Sequence, residues 1–123
     1  MVLQYARAAE IARLQGAPQQ RVARLFLCAA WCADDAKDKK TAVAMRKLAL
    51  KEFLAVKERT NDLLLQMCDV ARRAEMKEKA LELLDAFDKL TADEPLRKIA
   101  AYQRLLLSQN DLACHMVSEA LAR

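Results

Sequence analysis

Gly16 is the only glycine in a chain of 123 residues, and Pro18 and Pro95 are the only prolines. Tight turns between strands draw on both residue types, because glycine supplies positive φ and proline presets φ near its turn value. A sheet protein of this length needs many such turns, and this sequence has almost none to offer. The apolar residues point the same way. They make up 54 % of the chain while aromatics make up 5 %, so the apolar mass is alanine and leucine. These are the strongest helix formers among apolar side chains, whereas strands favour β-branched and aromatic ones. The chain is predicted to be all-α, and its length suits one domain with a core that needs no covalent staples.

Apolar spacing divides the chain into seven predicted helices. The first runs from about Leu3 to Leu14, with Tyr5, Ala8, Ala9 and Ala12 (or Ile11) on one small-residue face; Gly16 ends it, and Pro18 suits the first turn of the next. The second carries Val22, Leu25, Phe26, Ala29, Ala30 and Ala33 and is apolar nearly all round, which predicts a buried helix. After the polar run Asp34–Lys40, a third extends from about Lys39 or Thr41 to Glu58. Thr60 or Asn61 caps a fourth, which holds Leu63, Leu64, Met67, Cys68, Val70 and Ala71. The connection through Arg72, Arg73, Glu75 and Lys77 has neither glycine nor proline and is a weak turn signal. A fifth helix spans about Ala80–Leu90. Thr91-Ala92-Asp93-Glu94-Pro95 is the clearest break in the chain, combining cap residues, acids suited to a helix N-terminus and a first-turn proline. Leu96, Ile99, Ala100, Tyr102, Leu105 and Leu106 define a sixth. Ser108-Gln109-Asn110-Asp111 is read as a last turn before a seventh helix with Ala113, Met116, Val117, Ala120 and Leu121.

Three of these segments look alike. AVAMRKLALKEF from Ala42, ALELLDAFDKL from Ala80 and ACHMVSEALAR from Ala113 each begin on a small residue and carry another position in phase seven places on: Ala49, Phe87 and Ala120. Their starts lie 38 and 33 residues apart. A period in the thirties within helical sequence predicts stacked helix hairpins. The expected organisation is a capping helix at about 3–15 followed by helix pairs at about 18–58, 60–90 and 93–123.

With the helices paired in this way, the small positions fall into register. Phe26-x-x-Ala29-Ala30-x-x-Ala33 pairs with Ala42 and Ala49, Leu64-x-x-Met67-Cys68-x-x-Ala71 with Ala80, Leu84 and Phe87, and Ala100-Ala101 with Ala113, Val117 and Ala120. This pattern resembles degenerate tetratricopeptide-like repeats over about residues 20–123. The family's inter-helix glycines are missing, its closing proline is absent after Ala49 and Phe87, and the first spacing is long for it. The resemblance implies a right-handed superhelix of antiparallel helix pairs and a non-catalytic scaffold that binds a partner peptide or helix in a concave groove. The stretch Arg21–Trp31 with Arg46–Leu50 also resembles the helical repeat region of an uncharacterised bacterial family. The cysteine-bearing segment that precedes the repeats in that family does not appear here, so no metal function is carried over.

The remaining chemistry-bearing residues are sparse. Lys and Arg total 21 against 17 Asp and Glu, a formal charge of +4 with the signs interleaved, and no recognition motif for nucleic acid accompanies it. No apolar run nears the ~20 residues that span a bilayer. The N-terminal segment reads as an amphipathic helix rather than a secretion signal, so Cys28, Cys32, Cys68 and Cys114 are expected as reduced thiols in a cytoplasmic protein. Cys28 and Cys32, four apart, are expected in the core; the alternatives are a thiol-based redox sensor or half of a metal site, though the loop CxxC spacing of structural zinc is lacking. His115, the only histidine, has no nucleophile motif around it, and phosphate loops, HExxH and GxSxG are absent. No enzyme activity, cofactor or metal is predicted. Trp31 is expected to fill the gap between two small-faced helices; the alternative is an anchor for a ligand peptide. The second, fourth and sixth helices are expected to line the groove, with Arg21, Arg24, Gln66, Asp69, Arg73, Arg97 and Arg104 exposed on it. The arginine excess predicts an acidic partner. Self-association as a homodimer is the second expectation, with the last helix, LACHMVSEALAR from Leu112, burying its apolar face against a second copy.

Overall fold

The computed structural model describes residues 1–90 and 93–122, with side chains described for 1–90 and 93–109. Six helices and no strand form among the described residues: α1 (Val2–Leu14), α2 (Gln19–Asp35), α3 (Lys39–Leu54), α4 (Asn61–Arg73), α5 (Lys77–Asp88) and α6 (Glu94–Ala122). Each of the first five packs on its successor in the chain, and α6 lies against both α4 and α5.

Three of the corners are the same turn. After α1, the Gly16 N–H donates to the Arg13 carbonyl at 3.1 Å and the Ala17 N–H to the Ala12 carbonyl at 2.9 Å. After α2, Lys37 and Asp38 make the equivalent bonds to Asp34 (2.9 Å) and Ala33 (2.8 Å); after α4, Glu75 and Met76 make them to Arg72 (3.1 Å) and Ala71 (2.9 Å). These paired bonds close a helix with one residue in the left-handed region, and the φ values are 75° at Gly16, 58° at Lys37 and 61° at Glu75. Only the first corner uses glycine, which is why the other two leave no mark in composition. Lys37 and Glu75 stand 38 residues apart, as do Lys39 and Lys77, which open α3 and α5. Ala42 and Ala80 therefore occupy the same place in their helices, and both are buried. Small residues there let the paired backbones approach closely.

Side-chain caps set the other starts. The Asp38 carboxylate accepts the Thr41 N–H at 3.2 Å, and its carboxyl is held below the usual range first by the Thr41 hydroxyl and then by that N–H. The Thr60 hydroxyl accepts the Leu63 N–H at 3.1 Å, satisfying donors that a helix leaves open at its first turn. The third helix ends at Leu54 rather than Glu58, and residues 55–60 form the link. There the Arg59 guanidinium donates to the Leu54 carbonyl (2.9 Å) and the Val56 carbonyl (3.2 Å).

The predicted third pair is not a pair. Ser108-Gln109-Asn110-Asp111 makes no turn; α6 passes straight through it for 29 residues. Ala113 thus lies well inside a helix rather than opening one, and the 33-residue spacing has no counterpart to the 38-residue one. Serine, asparagine and aspartate each cost a helix interior only about 0.5 kcal/mol relative to alanine. Without glycine or proline nothing at this point breaks the backbone ladder. The side chains of Ala113, Cys114, His115, Val117 and Ala120 lie outside the described residues.

The core is continuous from α1 to α6. Ala9, Val22, Phe26, Leu50, Phe53, Met67, Leu84, Phe87, Ala100 and Leu107 belong to one buried cluster. Phenylalanine at 26, 53 and 87 fills the volume that the alanine-lined crevices leave between helices.

Candidate functional site

A trough of about 710 Å³ is lined mainly by α2, α4 and α6. From α2 come Leu27, Trp31 and Asp34, at i, i+4 and i+7 on one helix face; from α4 come Asp62, Leu65, Gln66, Asp69, Val70 and Arg73; from α6 come Leu96, Ile99 and Gln103. Leu65 and Val70 are buried and form a floor. Trp31 is 72 % exposed and Ile99 46 % exposed, and both stand on the walls. The tryptophan does not fill a gap between helices. Residues 22, 26, 29, 30 and 33 already turn α2's small face to the core, which leaves Trp31 on the side that faces the trough. The second helix is accordingly buried on one face only.

An ion pair between α2 and α3 forms part of the trough's lining. Arg46 of α3 is 5 % exposed, and its guanidinium donates to both carboxylate oxygens of Asp34, with Nη1 to Oδ1 at 3.2 Å and Nη2 to Oδ2 the closer. These hydrogen bonds hold the Asp34 carboxyl below its usual range, against a smaller opposing effect of desolvation. The fork-on-fork geometry suits arginine and not lysine.

A second polar cluster ties α4 to α6. The Asp69 Oδ1 accepts from Arg72 Nη2 (2.9 Å) and Gln103 Nε2 (3.0 Å), and its Oδ2 accepts from Arg73 Nε (3.0 Å). Arg72 Nε in turn donates to Gln103 Oε1 at 2.9 Å. Burial pushes the Asp69 carboxyl up, but the Gln103 bond and the two arginines outweigh it, and the net shift is downward. Gln103 is buried with both ends of its amide satisfied.

The predicted site residues separate into three groups. Gln66, Asp69 and Arg73 come together on the trough. Arg21, Arg24 and Arg97 are exposed but do not line it, and none makes an ion pair among the described residues. Arg104 faces elsewhere, pairing with Asp85 at 3.3 Å and with Asp88, which fastens α6 to α5. The trough is therefore not arginine-rich in effect, since its two arginines, Arg46 and Arg73, are matched to Asp34 and Asp69. Leu27, Trp31, Asp34, Arg46 and Ile99 join the site although sequence spacing singled out none of them as groove-lining. Trp31 was visible as a candidate anchor; the pairing of Arg46 with Asp34 across two helices carries no local signal.

Cys28 and Cys32 are partly buried and Cys68 is fully buried, all as free thiols. Burial, with Asp69 alongside, pushes the Cys68 thiol up to about 11, which suppresses its thiolate at neutral pH. Among the described residues no group of three or more His, Cys, Asp or Glu side chains is placed to hold a metal ion, and no helix is long and apolar enough to cross a membrane. Comparison with protein-family models, with curated proteins and with solved structures finds no match to this chain.

Proposed function

We propose that this chain is a non-catalytic scaffold, built on tetratricopeptide-like helix pairs, that holds a helix or extended segment of a partner protein in the trough between α2, α4 and α6. The carrying observation is Trp31. A large aromatic side chain left mostly exposed over a buried Leu65–Val70 floor, with Ile99 also on the lining, is the arrangement of an anchor site. The identical corners at Lys37 and Glu75 support the repeat reading for the first two pairs. The occupant is held by an apolar side chain rather than by charge, because the trough's arginines already have carboxylate partners.

Peptides selected from a displayed library against the protein test this. Binding should blue-shift Trp31 emission, and Trp31→Ala should weaken it by about tenfold or more while leaving the helical signal intact. Tight binders that leave Trp31 emission unchanged and bind Trp31→Ala equally well would refute the proposal.

A second reading is self-association through α1. Leu3, Ile11 and Leu14 are exposed on one side of it, at i, i+8 and i+11 at the end of the array, with the exposed Arg7 among them. A dimer by light scattering that Ile11→Glu dissociates would favour this reading; a strict monomer would exclude it.

A further inference from the structure

The outward side of α3 carries a different surface. Lys40, Lys47 and Lys51 fall at i, i+7 and i+11 on one stripe of the helix, and all are exposed. By helical rise their stems leave the axis at points about 10 Å and about 6 Å apart. Lys37 stands in the corner just before them. None of these four makes an ion pair among the described residues, whereas Lys39 is held 3.2 Å from Glu75. The formal charge of the whole chain is +4, and these four unpaired ammonium groups on one side amount to as much. Beside Lys40 and Lys47 lies a shallow hollow of about 570 Å³, to which Val43 and Ala44 give an apolar patch and which Lys39 and Glu75 also line.

We propose that this side of α3 docks an acidic amphipathic helix of a partner protein. Carboxylates one and two turns apart meet Lys40, Lys47 and Lys51, and an apolar side chain between them seats on Val43 and Ala44. Three features favour a polypeptide over a phosphate polymer or a lipid surface. The stripe has no arginine, the residue that grips phosphate bidentately; Arg46 of the same helix points into the protein. It has no aromatic side chain on which a base could stack. Its apolar atoms sit in a hollow among lysines, where they can receive a side chain but cannot insert into a bilayer. The predicted acidic partner is thereby assigned to α3 and not to the trough, and the two surfaces stand or fall separately.

The probe is a labelled helical peptide with glutamates at i, i+7 and i+11 and leucines between them, titrated by fluorescence anisotropy. Its glutamine counterpart, inorganic polyphosphate and phosphatidylserine vesicles serve as the other arms. The acidic peptide should bind, added salt should weaken it, and the glutamine peptide should bind poorly. Combining Lys40→Glu, Lys47→Glu and Lys51→Glu should weaken the acidic peptide by about tenfold or more, since three exposed attractions become repulsions. Far-UV circular dichroism should be unchanged, and Trp31→Ala should have no effect on this binding. No binding of the acidic peptide, equal binding by the triple variant, a loss caused by Trp31→Ala, or binding of polyphosphate or vesicles in its place would each overturn the proposal.

Discussion

Lys37 is a test of whether the corners are what they are described to be. Its φ of 58° lies in the left-handed region, which costs an L-residue about 1–2 kcal/mol. Glycine removes that cost but adds about 0.4–1 kcal/mol of unfolded-chain entropy. At the middle of those ranges the net expectation for Lys37→Gly is a stabilisation of about 0.8 kcal/mol. The side chain is exposed and makes no ion pair among the described residues, so little else changes. Gly16→Ala is the mirror experiment. Its φ is +75°, and a Cβ there would meet nothing within 4 Å. Its effect is thus one of backbone conformation alone, a destabilisation of about 0.5–1 kcal/mol. Urea unfolding followed by circular dichroism resolves both, and the corresponding Tm shifts are about 2–5 °C in opposite directions. If Lys37→Gly instead lost about 1 kcal/mol, as glycine does within a regular helix, the corner after α2 would be wrongly described. The shared geometry of the two helix pairs would fall with it.

Gln109→Pro separates six helices from seven: in a continuous α6 it should cost about 3 kcal/mol or more, and a change within about 0.5 kcal/mol in a urea titration would restore the predicted turn. Acid should destabilise the protein through Asp34 and Asp69, whose carboxyls are both lowered in the fold. Their contribution is complete above the unfolded value near about pH 4 and is lost as pH falls through the lower folded values. Asp69→Asn should lower stability at neutral pH and flatten the acid limb of the urea midpoint between about pH 2 and pH 5, and an unaltered limb would contradict the Arg72–Arg73–Gln103 arrangement.

Most of the first five helices is legible in the chain, because each uses a signal that works within a few residues. Thr60 caps α4 as its side chain suggests, Gly16 closes α1, and the Ala42–Ala80 spacing reports a geometric repeat. The missed features are of another kind. The corners at Lys37 and Glu75 ask only for a left-handed residue, and lysine and glutamate can supply it without a compositional trace. Ser108–Asp111 offers residues that favour caps, but a cap needs the chain to leave the helix, and nothing there compels it. Trp31 could not be oriented from α2 alone, since a helix apolar on most sides does not say which side meets a neighbour. The trough's electrostatics depended on partners 12 and 34 residues away in sequence, Asp34 with Arg46 and Asp69 with Gln103. Counting arginines without those carboxylates overstates the positive charge that the trough presents.

The corner at Lys37 and the corner at Glu75 bound a stretch of 38 residues that enters and leaves on the same pair of hydrogen bonds. Residues 37–74 are in that sense a cassette. A duplicate spliced after Ala74 would start on the joint it replaces, so the array could grow by two helices without any new junction to solve. Length, and with it the reach of the trough, becomes a matter of copy number rather than of redesign.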